Sequence, residues 1–264
     1  MNEGKSQNLP DYKNPPVIEV ACGISLETIK KFRGQHLGLF WQKVRNEFPI
    51  CEHAPRLEIG PSPIDFANYL PRMWFINEKQ NMLIQLQDDK FYLNWRRMQQ
   101  EESYPRYNKI IKSFQSNLNI FEKFLDKEDL GSINPLKCEL TYINHIPKAE
   151  GWESLADLNK VFKDFAWSAN DRFLPPPSGL GGQASFSLPK NKGRLNVTLQ
   201  HGARKIDKNP ILILQLTATG LGAEKTMDAV WEWFELAHEW IVCGFTDLTA
   251  TTIQNEIWQR IDVK

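Results

Sequence analysis

The chain lacks a charge imbalance: 32 Lys and Arg residues stand against 32 Asp and Glu, a formal net charge of +0. That balance removes the long-range field that draws basic proteins to nucleic acid or to anionic membrane surfaces, so such binding would need a local patch. Long apolar runs are missing as well. No stretch approaches the roughly eighteen consecutive apolar residues that read as a membrane-spanning helix. The opening residues, with Asn, Lys, Pro and Asp, show no apolar core of a signal peptide. The expectation is a cytoplasmic location with no membrane attachment. Cysteine is scarce, and Cys22, Cys51, Cys138 and Cys243 are scattered. Without the close pairs that zinc sites use, they read as reduced structural thiols, and no metal site is predicted.

Catalytic signatures fail residue by residue. Thr219-Gly220-Leu221-Gly222-Ala223-Glu224-Lys225-Thr226 follows an apolar strand and opens a helix, as a phosphate loop does. Glu224 stands where a glycine is needed before the lysine, so backbone amides would meet phosphate beside a carboxylate. Gly179-Leu180-Gly181-Gly182 precedes a strand instead of following one, the wrong order for a dinucleotide fingerprint. His238-Glu239 opens like a metalloprotease helix, but Val242 occupies the place of the second histidine. Cys51-Glu52-His53 is a local cluster in a proline-rich connection, where neighbours need not converge. No catalytic residue and no cofactor is predicted.

What is present is ample core material, 41% hydrophobic and 11% aromatic residues, which places the chain among globular proteins. Residues 1–14 read as a flexible arm. Beyond them one plan is stated twice, over 15–132 and over 133–264: a short strand, a helix, three strands and a closing helix. The first strands, Val17-Ile18-Glu19-Val20 and Lys137-Cys138-Glu139-Leu140-Thr141-Tyr142, each carry a glutamate between apolar residues. Leu37, Phe40, Trp41, Val44 and Phe48 recur at helical spacing after a possible cap at Ser25 and stop at Pro49. Segment 49–72 holds too many prolines for a regular element. Residues 74–76, 82–87 and 91–97 read as antiparallel strands, and Tyr107 to Leu125 as a helix of strong period. In the second half a helix at 155–165 and a Pro175-Pro176-Pro177 break precede strands at 183–188, 194–201 and 210–219. A helix over 226–244 closes it. The fold class is α+β, with antiparallel sheets covered by helices on one face, akin to TATA-binding-protein-like or helix-grip architectures.

Two groups of residues are the binding candidates. In 91–97, Phe91, Leu93 and Trp95 alternate with Tyr92, Asn94 and Arg96, which predicts one buried and one wetter face. Arg96 and Arg97 beside Tyr92 and Trp95 form a basic, aromatic neighbourhood suited to nucleic acid or an acidic peptide. Glu19 and Glu139 hold equivalent positions in the repeat, so a pseudo-twofold axis could bring two carboxylates onto one surface for acid and base work. Strand alternation alone would also leave each of them solvated or salt-bridged.

Asn14-Pro15-Pro16-Val17-Ile18-Glu19, with Ala237-His238-Glu239-Trp240-Ile241, Phe245-Thr246-Asp247-Leu248-Thr249 and Ile257-Trp258, resembles a sporadically distributed bacterial family of similar length. The resemblance implies no assigned reaction, and the patchy occurrence implies a conflict or phage-defence setting. The expectation is a non-catalytic binding or interaction protein with a protein partner. Nucleic-acid binding by a curved sheet face is one alternative. A small-ligand sensor or enzyme using the paired glutamates is another.

Overall fold

The computed structural model describes residues 9–57, 70–99, 101–167, 173–175, 177–204 and 207–261. Residues 1–8 of the expected arm, 58–69 of the proline-rich connection and Pro176 lie outside them. The fold is α+β and mostly antiparallel. Its strands are β1 (Asp11–Tyr12), β2 (Val17–Leu26), β3 (Ile50–Ala54), β4 (Arg72–Ile76), β5 (Met82–Leu86), β6 (Lys90–Arg96), β7 (Pro135–Pro147), β8 (Gly181–Ser187), β9 (Arg194–Ala203), β10 (Pro210–Gly220) and β11 (Arg260–Ile261). The helices are α1 (Gly34–Val44), α2 (Tyr107–Lys127), α3 (Leu158–Val161), α4 (Met227–Leu248) and α5 (Thr251–Glu256). Hydrogen-bonded neighbours follow the order β3-β4-β5-β6-β2-β7-β10-β9-β8, and β1 pairs with β11.

Two compact units result: Met1–Ile18 with Tyr142–Ala218 and Glu235–Lys264, and Glu19–Thr141 with Thr219–Phe234. Neither unit is one continuous stretch of the chain. Long elements are the reason, because β2, β7 and α4 each lend residues to both units.

The Glu19–Thr141 unit is built on phenylalanine. Along α2 the apolar period delivers Phe114, Phe121 and Phe124 to one buried stripe, and α1 adds Phe40. The Phe40, Phe114 and Phe121 rings pack on Phe91 of β6, which is stacked on Phe121 at 5.4 Å between centroids, with Phe40 edge-on to Phe121 at 5.3 Å. Aromatic pairs of this kind contribute about 0.5–1.5 kcal/mol each beyond the area they bury. Ser25, expected as a helix cap, lies inside β2 instead, and α1 starts only at Gly34. The connection after Pro49 carries an unforeseen strand, β3, whose Ile50 to Ala54 pair with Ile76 to Arg72 of β4.

In the other unit the end signatures close on each other. The Tyr12 ring stands edge-on to Phe245 at 5.5 Å and to Trp258 at 6.2 Å, and its hydroxyl lies 2.7 Å from Thr246 Oγ1. Tyr12 is only 5% exposed, so the end of the expected flexible arm is pinned, and Asp11–Tyr12 pair with Arg260–Ile261. Gln254 Nε2 donates to Thr246 O (2.8 Å) and Thr249 O (2.9 Å), while Arg260 Nη1 donates to Gln254 Oε1 (3.0 Å). The helix expected over 155–165 shortens to a 3-10 turn and the four residues of α3, because Phe162 turns extended and bridges to Thr249.

Phe121 touches the Phe32, Phe40, Phe91 and Phe124 rings and is fully buried. Phe121→Ala is expected to lower the free energy of unfolding by about 3–5 kcal/mol in urea titration followed by circular dichroism.

Candidate functional site: a buried polar sheet face

Strand alternation puts Phe91, Leu93 and Trp95 toward the helices and Tyr92, Asn94 and Arg96 on the opposite face of β6. That second face is not wet. Tyr92 is 7% exposed, Asn94 5% and Gln85 8%. Polar groups taken from water must find partners, and here they find one another across four strands. Arg72 Nη1 of β4 donates to Gln85 Oε1 of β5 at 2.8 Å, and Trp74 Nε1 donates to the same oxygen at 3.2 Å. Gln85 Nε2 donates to Asn94 Oδ1 of β6 at 2.7 Å, and Asn94 Nδ2 donates to Glu19 Oε1 of β2 at 2.7 Å. Two amides thus run head to tail between a guanidinium and a carboxylate. A charge at each end strengthens the terminal bonds. The Arg72 guanidinium also lies 5.4 Å from the centre of the Trp74 ring.

The same face continues toward the β5–β6 turn. The Tyr92 ring lies so close over Gly23 that a Cβ there would meet ring carbons Cε1 at 2.1 Å and Cδ1 at 2.2 Å. Its hydroxyl bonds Ser25, and burial followed by the Glu139 charge pushes its pKa well above the usual tyrosine range. Glu139 is held above the ordinary carboxylate range by burial, against the opposing pull of Lys137, Thr141 and Lys90. Glu19 and Glu139 accordingly have different neighbours, the first the Asn94 amide, the second Tyr92, Thr141 and two lysines.

Sequence reasoning missed the clamp beside them. Asp88, Asp89 and Lys90 have the composition of a solvated turn, yet Lys90 is 4% exposed and its Nζ lies 2.9 Å from Asp89 Oδ2. Arg56 Nη2 reaches Asp88 Oδ1 at 2.7 Å and Asp89 Oδ1 at 3.3 Å, while Nη1 donates to Leu70 O at 2.8 Å. Gln87, 1% exposed, accepts from Leu57 N–H at 2.7 Å. The only signal in the sequence is the density of charge at one hairpin turn.

The basic, aromatic group does not assemble as an open surface. Trp95 is 2% exposed and packs against Tyr104 at 5.4 Å, on the helix side. Stacking on a base needs a free ring face, which neither Trp95 nor Tyr92 offers. Arg96 Nε donates to Gln80 O at 2.7 Å, and Arg97 is half-buried. Lys225, the phosphate-loop candidate, donates to Leu136 O at 2.8 Å, and Thr226 Oγ1 accepts from Ala229 N–H as a helix cap. Cys51 and Glu52 alternate along β3 and so point to opposite sides. Cys51 is exposed, unlike Cys138, whose thiol burial pushes up to about 12.

Replacing Gly23 by Ala forces the Tyr92 ring to move. Gly23→Ala is expected to cost about 1–3 kcal/mol in urea titration, and Tyr92→Leu in the same chain is expected to recover part of it. His238 supplies a second expectation. Its ring lies 6.3 Å from Tyr142, and burial pushes its pKa down to about 4 from the ordinary 6.5. Between those values the unfolded chain binds more protons, so this residue makes stability fall as pH drops from about 6.5 toward about 4. Glu139 acts in the opposite sense, because a raised carboxyl favours the folded state at low pH and loses that advantage as pH rises. Denaturation at a series of pH values is expected to show a shallower acid limb for His238→Gln than for the natural chain.

Among the described residues, no helix is long and apolar enough to cross a membrane. Comparison with protein-family models finds no match to this chain, and comparison with the curated proteins finds none either.

Proposed function

We propose that the protein is a non-catalytic binding or interaction protein acting on a protein partner in the cytoplasm. The observation that carries this reading is the Arg72–Gln85–Asn94–Glu19 chain, in which the polar side chains of the sheet face are consumed by one another. A general base or nucleophile needs a group poised toward a reacting atom. Here the carboxylate of Glu19 is a hydrogen-bond terminus, and the buried cysteines Cys22 and Cys138 hold their protons.

The plan is read as a duplication. Support comes from β2, α1, β4, β5, β6 and α2 in one half and β7, α3, β8, β9, β10 and α4 in the other, with β3 as an addition to the first. That order suits the TATA-binding-protein-like or helix-grip comparison, which carries no function with it. The end signatures, through their family resemblance, favour an accessory role in a bacterial conflict or defence locus.

A second reading, a small-ligand sensor or enzyme, is favoured by one observation, the raised carboxyl of Glu139 beside the Tyr92 hydroxyl. Affinity capture of the tagged chain from its native cells, with and without nuclease, separates these readings. The expected result is recovery of a protein partner that survives nuclease and is unchanged by Glu19→Gln with Glu139→Gln. Nuclease-sensitive recovery that weakens steeply with salt would replace it with nucleic-acid binding. Loss of a turnover by the folded double variant would replace it with catalysis.

A further inference from the structure

We infer that β8 is a self-association edge, through which two copies of this chain pair antiparallel about a twofold axis at Ala184. β8 ends the strand order and has β9 as its neighbour. The register runs without a bulge from Gly181 opposite Gln200 to Ser187 opposite Arg194. At its two ends His201 N–H donates to Leu180 O at 2.8 Å and Leu188 N–H to Gly193 O at 2.9 Å. Ladder bonds alternate in an antiparallel pair, so Gly182, Ala184 and Phe186 turn their backbone groups toward β9. Gly181, Gln183, Ser185 and Ser187 turn theirs away from it. All of β8 except Gly182 is exposed.

Natural edge strands carry lysine, proline, a bulge or an inward charge that blocks pairing. Gly-Gly-Gln-Ala-Ser-Phe-Ser has none of these. The same neutrality argues for a second copy as the occupant. In a twofold antiparallel pair the central residue meets itself, and a charge there would face a like charge; Ala184 meets Ala184. Around it Gln183 meets Ser185, Gly181 meets Ser187, and each of these outward-turned residues exchanges an N–H and a C=O with its counterpart. Phe186 meets Gly182, over which the Phe165 ring already lies, 3.1 Å from where a Cβ would stand. Phe186, 43% exposed, thereby gains an aromatic neighbour. A strand of 7 residues buries a modest area, below the roughly 1,200 Å² of a standard interface, so the dimer dissociates on dilution.

Sedimentation equilibrium of the full chain over a range of concentrations tests this. The natural chain is expected to pass from monomer to dimer. Ala184→Lys and Ala184→Glu, at an exposed position and checked for folding by circular dichroism, are each expected to weaken association by about tenfold or more, because like charges then face each other. Mixing the two variants is expected to restore a dimer, since lysine then faces glutamate. Ser185→Pro, which removes an outward N–H and leaves the β9 ladder intact, is expected to abolish association. A natural chain that stays monomeric at every concentration overturns the inference. So does a dimer that survives both charged variants, or a mixture that stays monomeric.

Discussion

The row of hydrogen bonds from Arg72 to Glu19 is the constraint on which the Glu19–Thr141 unit depends. Once β6 commits Phe91, Leu93 and Trp95 to the helices, its other face must hold Tyr92 and Asn94 out of water. An unpaired buried amide costs roughly 1–3 kcal/mol, so Gln85 and Asn94 are tolerable only as links in a completed chain. Completion demands a donor at one end and an acceptor at the other, which Arg72 and Glu19 supply. The arrangement also specifies register, since a slip of one residue in β5 or β6 would send these side chains into the phenylalanine layer.

The clamp at the β5–β6 turn follows the same logic with full charges. Two aspartates and two cations share a space where each is less than one-fifth exposed. Buried ion pairs are tolerated when every lone pair finds a donor, and Arg56 divides its fork between Asp88, Asp89 and the Leu70 carbonyl. The local chain around Arg56 and Leu57 is thus tied to Gln87 and the turn by directional contacts as well as by apolar area.

In the other unit, the two ends of the sequence are joined by a small aromatic box. Tyr12 is enclosed by Phe245 and Trp258, and Gln254 ties the α4–α5 corner to Arg260 of β11. Phe245, Thr246 and Trp258 therefore serve packing and hydrogen bonding within this unit. Trp258 and Phe245, 4.9 Å apart, form a wall of this box, and burial holds the Tyr12 hydroxyl above its usual range.

What the sequence by itself determined was periodic and local. The spacing of Phe114, Phe121 and Phe124 made α2 a helix, and the alternation in 91–97 made β6 a strand with two unlike faces. Tertiary structure decided that neither side of that alternation was wet, because burial depends on what lies across a face and not on the residues in it. It drew Ser25 into a strand under Tyr92, shortened the 155–165 helix by pulling Phe162 to Thr249, and converted a charged turn into a buried clamp. Arg72, Gln85, Asn94 and Glu19 come from four different strands, spaced irregularly along the chain. Only the strand order and register bring them into one line, and no local pattern encodes that.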